Sequence, residues 1–465
     1  MYQSGTAKLG LRFERYRSEA QLCPSTEGVF FVCFAAVLPA ATLSRAEAAP
    51  DPISNLGLDA AAFGLRPGST DDQSRLAQHA IDEAARAGRP LALAPGIYRV
   101  GNLNLPSGAQ LMGVRGATKL VLGDGASLLS SQSSSYVTLS GLVFDGQRRG
   151  LPQGRGLLHF ENARALKISD CEIVGAGGNA LHCIASAGEI IDYRFADAVD
   201  TAIHSLNARG LLIARNTIAR AGNNGIQVWR QDEGADGTIV SDNRIENIAN
   251  RSGGSGQYGN AVNVFRAGNV IVRGNRTANC AFSAVRGNAA SNLLIESNSI
   301  SDAREVALYA EFGFEGAAIV GNIVDGSAIG VSVTNFNHGG RLAAVRATSS
   351  AIFCRGGPPA PIPTTMPVSA FRSRPIPPSL ATRSRTRRPP VSCLAMAPIC
   401  ATSPPPETWC AGPALIANNM ISDVVRGAVM GMDRKRIVTG DLMQSGAKDY
   451  RHITLAGNNF RSRPL

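Results

Sequence analysis

Polar and aromatic side chains recur through the middle of the chain at a spacing of one repeat, and their types could do chemistry. One series reads His182, His204, Gln227, Asn263, Arg286, Tyr309 and Ser332, and a second, two residues further on, reads Ile184, Leu206, Trp229, Phe265, Asn288, Glu311 and Thr334. Side chains in a strand alternate between its faces, so both series lie on one face, opposite an apolar series that begins at Leu181. Aromatic rings stack on sugars, and Arg and Asn bind carboxylates and hydroxyls. We predict an elongated ligand groove, bound by His182, His204, Gln227, Trp229, Asn263, Phe265 and Asn288.

Three residues of these series are the predicted catalytic group. Arg286 lies between Asn263 and Tyr309, with Glu311 diagonally adjacent. An arginine that neutralises a uronate carboxylate acidifies the neighbouring C–H bond, and Tyr309 or a histidine could then relay the proton. The alternative is that Arg286 and Glu311 form a structural ion pair. Glycoside hydrolysis needs two carboxyl groups across one bond, and these series contain only Glu311.

Metal binding has weaker support in the sequence. His182 and His204 lie one repeat apart, but no third ligand accompanies them, so we predict no metal site there. Asp232, Glu233 and Asp236 follow Trp229 and could supply a second acid or hold calcium, although a solvated acidic turn is the alternative. Calcium is thus the one ion to consider, and no cofactor is predicted. Three cysteines outside the terminal and proline-rich regions have no CxxC pairing and are expected to be buried thiols, namely Cys171, Cys183 and Cys280.

A short repeat predicts the elements that position these residues. The phrase apolar-x-x-Asn-x-apolar recurs around Asn216, Asn243, Asn275, Asn298 and Asn322, resumes at Asn419 and Asn458, and extends back to Cys171 and Arg194 at the same position. Each unit holds at least two short strands and cannot bury its own apolar face. Stacked units of about 22–24 residues predict an all-β fold, a parallel β-helix in which the asparagines form a turn ladder.

The regions before the repeats have other compositions. Residues 1–48 contain an apolar run at 29–38 and small residues at 46–49, which indicate a signal region and export to the periplasm or beyond. No apolar run long enough to cross a bilayer follows. Residues 49–110 are predicted to form an N-terminal cap with a helix over about 71–87, whose apolar face would be Leu76, Ala80, Ile81 and Ala84. Residues 111–345 are the β-helix coils.

The positive charge is concentrated in one segment. Of the net +11, +7 falls in residues 346–411, which also hold 14 of the 25 prolines. The rest of the chain is nearly neutral, so we do not predict nucleic-acid binding. This segment is expected to be a disordered insertion, or a shifted reading frame, that replaces about three coils before the coils resume over 412–465. In another frame the codons of 346–353 can read Gly-Asn-Ile-Ile-Arg-Asn-Leu, and those of 25–31 can read Arg-Arg-Arg-Ala-Phe-Phe.

Several of these motifs resemble known families. The pairs FG at 63–64 and DD at 71–72, with LAPGIY at 93–98, are similar to the opening of pectate-lyase and polygalacturonase-like proteins. The coils GNAVNVFR at 259–266 and FSAVRGN at 282–288 resemble an uncharacterised family of twin-arginine-translocated repeat proteins. The resemblance covers about 60–345 and 412–465. It implies a right-handed parallel β-helix and export, and it brings no established activity or catalytic residue.

The sequence as a whole predicts an exported protein that holds an extended, acidic polysaccharide along one sheet. Lyase or C5-epimerase chemistry on a uronic-acid polymer fits the polar series better than hydrolysis, since both reactions begin by removing a proton beside a carboxylate. The rival is a non-catalytic glycan-binding protein of the envelope or surface, and a purely structural solenoid is a third reading. The oligomeric state has no signal in the sequence.

Overall fold

The fold is taken from a computed structural model. It describes residues 57–334, 341–346, 349–351, 395–398, 414–417, 419–424, 429–433, 436–437, 441–445 and 453–462. The chain divides into two compact units, Met1–Ala49 and Pro50–Leu465, and every described residue belongs to the second. The predicted signal region over 1–48 lies outside the described residues.

Short strands make up most of the described chain and form three sheets, A, B and C, of 14, 13 and 13 strands. Sheet A contains β1 Leu58–Asp59, β2 Leu91–Ala92, β5 Gln110–Met112, β8 Thr138–Ser140, β11 Leu166–Ser169, β14 Gly188–Ile191, β17 Leu212–Ala214, β20 Ile239–Ser241, β23 Ile271–Arg273, β26 Ser291–Glu296, β29 Glu315–Val320, β32 Arg341–Arg346, β35 Ala414–Ala417 and β39 Ile453–Ala456. Sheet B contains β3 Gly96–Val100, β6 Thr118–Leu122, β9 Val143–Asp145, β12 Glu172–Val174, β15 Arg194–Ala196, β18 Thr217–Ala219, β21 Arg244–Ile248, β24 Arg276–Cys280, β27 Ser299–Ala303, β30 Ile323–Asp325, β33 Ser349–Ala351, β36 Met420–Val424 and β40 Asn459–Ser462. Sheet C contains β4 Leu103–Asn104, β7 Leu129–Gln132, β10 Gly156–Glu161, β13 Asn179–Ile184, β16 Ile203–Leu206, β19 Ile226–Ala235, β22 Val262–Gly268, β25 Val285–Asn288, β28 Val306–Glu311, β31 Ile329–Thr334, β34 Ala395–Pro398, β37 Val429–Asp433 and β38 Arg436–Ile437.

Each coil passes through sheets A, B and C in that order, and the next coil repeats the path about 24 residues later. Neighbouring coils pair in parallel, apart from the antiparallel pair β37 and β38. This is the predicted all-β parallel β-helix. The apolar column predicted to point inward is completely buried, at Leu181, Ile203, Ile226, Val262, Val285, Leu308 and Val331. A coil is too small to bury its own apolar face, so the core exists only because the coils stack.

The asparagine ladder is confirmed at the turn between sheets A and B. The amide of Asn243 donates to Asn275 Oδ1 at 2.9 Å, and the amide of Asn275 donates to Asn298 Oδ1 at 3.0 Å. Asn216 and Asn322 extend the same chain of bonds, and each of the five side chains is buried. Upstream, the register places Tyr193 rather than the expected Arg194 at this position, because Arg194 pairs with Thr217, the residue after Asn216. The buried ring of Tyr193 fills the place of an amide there.

Helix α1, Ser74–Arg86, lies within the predicted 71–87. It begins three residues late because Asp72 Oδ1 accepts a hydrogen bond from the backbone N–H of Ser74. Its buried side chains are Ala77, Ala80, Ile81 and Ala84, which join the same core as the first strands. The expected apolar residue Leu76 is 42% exposed instead. The other helices are the 3-10 turn Ala60–Phe63 and α2 Leu442–Ser445, and in the described part of the chain no helix is long and apolar enough to cross a membrane.

The described strands differ from the expectation that 346–411 replaces about three coils. Strands β29, β32 and β35 are neighbours in sheet A, so one coil separates the coils of Asn322 and Asn419. Two strands of this coil, β33 and β34, fall inside the segment that was expected to lack strands. The extra sequence thus falls between consecutive strands of a single coil, where flanking strands can still pair. Residues 352–394, and with them most of the proposed frame-shifted region, lie outside the described residues.

The three cysteines of the coils are free and buried, as predicted. Burial raises the pKa of the Cys171, Cys183 and Cys280 thiols to about 12, so these groups stay protonated near neutral pH.

Candidate functional site

The predicted polar series occupies the outer face of sheet C. Strand pairing aligns His182 with His204, then Gln227, Asn263, Arg286, Tyr309 and Ser332, in the predicted register. The second series aligns in the same way, from Ile184 through Trp229, Phe265 and Asn288 to Glu311. We call these the inner row and the outer row of sheet C. Both rows lie on the face opposite the core, as the alternation of side chains requires.

The inner row is covered, although the sequence analysis treated it as a solvent-facing stripe. His182, Gln227 and Asn263 are each 3% exposed, and Arg286 is 7% exposed. The residues of the outer row from Trp229 to Asn288 remain partly exposed, whereas Glu311 is only 1% exposed. A ligand approaching sheet C would therefore meet Trp229, Phe265 and Asn288 first.

Two long turns account for this burial. Each makes its coil longer than an ordinary one, and the additional residues cover the outer face of sheet C. The carbonyl of Gly154, in the turn before β10, lies 2.9 Å from His182 Nδ1. A second turn, residues 249–260, is fixed by amide side chains: Asn224 and Asn263 donate to the carbonyl of Gln257 at 3.0 and 3.1 Å. Turns of this kind have no signal in the strand pattern, so the sequence analysis missed the cover.

Gly256 in that second turn lies directly against the Arg286 side chain. A Cβ placed on Gly256 would be 1.7 Å from Arg286 Nη1, and φ at this position is +140°. Only glycine combines this backbone conformation with so close an approach. The turn and the guanidinium are therefore packed as one unit.

Arg286 is the centre of a buried group of charges. Its Nε and Nη2 donate to Glu311 Oε1 and Oε2 at 2.5 and 2.8 Å, and its Nη1 lies 3.3 Å from Glu305 Oε2. Asn288 Nδ2 adds a 3.0 Å hydrogen bond to Glu311 Oε1. The guanidinium lies 4.9 Å from the centre of the Tyr309 ring. The structure thus brings together all three predicted catalytic residues, with Arg286 engaged by carboxylates of the protein.

The electrostatics of this group follow from burial and pairing. Burial alone would lower the pKa of Arg286, but the charges of Glu311 and Glu305 outweigh it and raise that pKa. For Glu305, burial raises the pKa of the carboxyl and Glu311 adds to the rise, against the opposing charge of Arg286. One guanidinium therefore faces two carboxyl groups, and the pKa of Glu305 lies above its ordinary value.

Glu305 was missed by the sequence analysis. It lies just before β28, outside both rows, and its side chain is 29% exposed where that of Arg286 is 9% exposed. The only sign of its role in the sequence was its position in the turn that leads to Tyr309. Residues in turns are not included when strand residues are aligned in columns.

Upstream, the inner row is a stack of histidines. The rings of His182 and His204 are parallel, with centroids 4.5 Å apart, and His159 meets His182 edge-on at 5.1 Å. His159 was also missed, although stepping back one coil from His182 gives it. Burial lowers the pKa of His159 to about 4 and that of His204 to about 3, and it also lowers the pKa of His182. The three rings are thus neutral at physiological pH.

Aromatic rings continue the outer row. Trp229 contacts His204 edge-on and lies 5.7 Å from the ring of Phe265, and its indole N–H donates to Asn263 Oδ1 at 3.1 Å. The hydrogen bond holds the Trp229 ring in one orientation while the side chain stays partly exposed.

The three acidic residues after Trp229 have different surroundings in the structure. Asp232 and Glu233 are exposed, whereas Asp236 is buried and accepts hydrogen bonds from Thr238. Burial raises the pKa of Asp236. Among the residues that the structure describes, no group of three or more His, Cys, Asp and Glu side chains is placed to hold a metal ion. The possible calcium site stays a prediction.

Comparison with known proteins identifies the fold. A family described as the right handed beta helix region matches residues 124–256 and, in an overlapping match, 179–346. No curated protein matches the sequence. The mannuronan C-5 epimerase AlgE6 A-module of Azotobacter vinelandii is similar in structure, with TM-score 0.50 and 18% identity over 63% of this chain and 94% of that one.

Two exopolygalacturonases are similar to the same extent. That of Thermotoga maritima has TM-score 0.51 and 13% identity over 63% of this chain and 86% of its own. That of Yersinia enterocolitica has TM-score 0.51 and 11% identity over 88% of this chain and 79% of its own. At these identities the likeness defines the class by fold alone: this protein is a right-handed parallel β-helix. The resemblance to the twin-arginine-translocated family stays a prediction.

Proposed function

We propose that this protein binds an extended acidic polysaccharide along the outer face of sheet C and acts on it as a lyase or C5-epimerase. The observation that supports this best is the position of Arg286. It is a buried cation on the outer face of the sheet, next to the partly exposed residues Trp229, Phe265 and Asn288. Charges in such a low-dielectric place interact more strongly than solvated ones, and the single 3.3 Å contact of Nη1 to Glu305 is the contact that a ligand carboxylate would replace.

The outer row suits a sugar polymer. Trp229 and Phe265 lie on adjacent coils, so successive rings of a bound chain could stack along the direction in which the coils repeat. Asn288 follows on the next coil and offers an amide to hydroxyl or carboxylate oxygens. His204 and Asn263 contact Trp229 and hold this surface in place, and His182 and Gln227 lie in the same inner row.

The catalytic half of the proposal rests on what the Arg286 group could do. Removal of a proton beside a carboxylate becomes easier when a cation neutralises that carboxylate, which is the role proposed for Arg286. Tyr309, packed against the guanidinium, would take the proton, since the nearest histidine of the inner row, His204, lies three strands away. Glu311 and Asn288 hold Arg286 in place. In an epimerase a proton is then added to the opposite face of the same carbon, and in a lyase the C–O bond beyond that carbon breaks instead.

The names of the neighbours are consistent with this ligand class. One is a mannuronan epimerase and two are exopolygalacturonases, and both names denote uronic-acid polymers. Export to the periplasm or beyond is proposed on the apolar run at 29–38 and the small residues that follow, and it would place the protein where such polymers occur.

A second function has its own support. Arg286 already has two carboxylate partners within the protein, an arrangement also expected of a structural ion pair. In that case the outer row would serve as a stacking surface of a non-catalytic glycan-binding protein of the envelope or surface.

The test is incubation of the purified protein with uronic-acid polymers, with and without calcium, while three signals are followed. Ultraviolet absorbance reports the conjugated double bonds of elimination, exchange of solvent protons into the sugar reports epimerisation, and calorimetry reports binding. We expect saturable binding together with one of the two chemical signals. Binding without either signal would support the non-catalytic function, and no binding to any polymer would contradict both.

Variants then locate the activity. We expect Tyr309→Phe to lower turnover at least 100-fold and to keep binding within a few fold, because it removes a proton-transfer group. Arg286→Ala should weaken binding as well as turnover. The matched control is Arg244→Ala, which removes an exposed arginine from the outer face of sheet B and should change neither. Equal loss in Arg244→Ala would mean that the site is elsewhere.

A further inference from the structure

Glu305 differs from Glu311 in its surroundings, although both carboxyl groups touch the same guanidinium. Glu311 accepts three N–H groups, two of them from Arg286 and one from Asn288. Such an array suits a carboxylate ion. Glu305 has a single 3.3 Å contact to Arg286 Nη1. Its side chain is 29% exposed, against 1% for Glu311, so Glu305 stands at the solvent side of the group.

The charge count of the group favours a proton on one of these carboxyl groups. Arg286 supplies one positive charge and faces two carboxyl groups, while Tyr309 lies against the guanidinium. A second negative charge beside a guanidinium already paired with Glu311 is only partly compensated, and holding a proton removes it. Glu305, which has only one contact to Arg286 and stands at the solvent side, is the group that takes the proton. The direction of the pKa of Glu305, raised by burial and by Glu311, agrees with this count.

We propose that Glu305 is the proton donor of this site, and that its contact with Arg286 Nη1 is replaced by a contact from the carboxylate of the bound sugar. This rests on the proposed function. The substrate carboxylate replaces the weakest of the contacts to Arg286, so the guanidinium exchanges one partner for another. The O–H bond of Glu305 breaks, its electron pair stays on the Glu305 carboxylate, and the proton goes to the sugar. In an elimination the proton acceptor is the departing glycosidic oxygen, and in an epimerisation it is the carbon that lost its proton to the base.

Paired carboxyl groups in unlike surroundings are a known arrangement for acid and base roles. The two rows of sheet C contain a single acid, Glu311. The turn before β28 adds the second. This turn also forms the solvent side of the group, so a proton lost from Glu305 can be replaced from water.

The first experiment needs no substrate and compares Glu305→Gln with the wild type in urea unfolding across pH. A carboxyl that holds its proton in the folded state stabilises the fold below its unfolded pKa, and the stabilisation declines as pH rises toward the folded pKa. The charged and titratable groups that face Glu305 are Arg286 on β25 and Glu311 on β28, with Tyr309 behind the guanidinium. We expect the Gln variant, which cannot ionise, to unfold at higher urea than the wild type at neutral pH and to lose this advantage near pH 4.

The matched control is Glu315→Gln, an exposed glutamate at the start of β29. It should follow the wild type at every pH. If the difference between Glu305→Gln and the wild type does not change with pH, Glu305 holds no proton and the proposal is overturned.

The second experiment measures turnover on whichever polymer the protein binds. We expect Glu305→Gln to lose at least 100-fold in turnover while it binds the polymer about as tightly as the wild type, since the amide of Gln and a protonated Glu are both uncharged and only the carboxyl can give up a proton. Glu305→Asp should restore part of the turnover and shift its pH profile. Wild-type turnover in Glu305→Gln would overturn the proposal and leave the proposed function standing. If the wild-type protein turns over no polymer, both the proposed enzymatic function and the donor role of Glu305 are overturned. The urea comparison would still decide whether Glu305 holds a proton.

Discussion

Arg286 shows how single residues decide the character of this site. A charged side chain buried at 7% exposure is tolerated only with close partners, and here Glu311 and Glu305 supply them. The same partners restrict what Arg286 can do, because a ligand carboxylate must replace one of them. The weak contact to Glu305, rather than the two-point contact to Glu311, is where that exchange is easiest.

The histidines of the inner row give a prediction at the same scale. Their folded-state pKa values are lowered by burial, to about 4 for His159 and about 3 for His204. An unfolded chain binds protons on these rings below about pH 6.5, and the folded protein does not, so stability is full above that pH and declines as pH falls toward 4. We expect His204→Gln to make the decline shallower by roughly 1.4 kcal/mol per pH unit, measured as unfolding free energy in urea from pH 7 to 4.5.

The control for this experiment is His79→Gln, since the His79 side chain on α1 is 63% exposed. This substitution removes a histidine but leaves the stacked histidine rings of sheet C intact. A slope in His204→Gln equal to that of the wild type would show that the buried row does not set the acid sensitivity of the fold.

Turns, more than strands, give this β-helix its particular properties. The strands of successive coils repeat the same parallel pairing although their lengths differ, as repeat architecture allows. The Asn ladder fixes one turn of every coil from Asn216 to Asn322. The turn over 249–260, by contrast, has no counterpart in the neighbouring described coils, and it covers Arg286 through Gly256. The regular turn holds the fold, and the irregular one shapes the site.

Removal of one rung should show how much the ladder contributes. Asn275 donates to Val240 O and Asn298 Oδ1, and its own Oδ1 accepts from the backbone N–H and the side-chain amide of Asn243. Asn275→Ala leaves these buried groups without a partner, so we expect a loss of about 2–4 kcal/mol in the free energy of unfolding. The control Asn104→Ala, at an exposed strand position, should cost less than about 0.5 kcal/mol. Similar losses in both variants would argue against the ladder as a source of stability.

On the scale of the whole molecule, the stacking of coils turns a local contact into an extended surface. From β10 to β25 the outer face of sheet C advances by five coils, which is about 24 Å at the spacing between neighbouring strands. A ligand that lies along this surface meets a different side chain at each coil. A short ligand can use only part of it.

This gives a prediction about ligand length. In calorimetry with uronic-acid oligomers, affinity should rise with each added sugar until the oligomer spans about 24 Å and then level off. Trp229→Ala should weaken the longest oligomers roughly tenfold, because it removes a stacking surface in the middle of the row. The control Ile323→Ala, at a 58% exposed position on sheet B, should leave the series unchanged. Affinity that does not depend on length would contradict an extended site along sheet C.

The repeat phrase determined the fold, since an apolar column and a buried Asn at one spacing can be satisfied together only by stacked parallel coils. The same spacing placed Arg286 beside Tyr309 and Glu311, because strand register is set by the alternation of side chains. Tertiary structure alone decided what covers those residues. Glu305 and Gly256 reach Arg286 from turns, and the path of a turn depends on packing and backbone conformation that carry no period in the sequence.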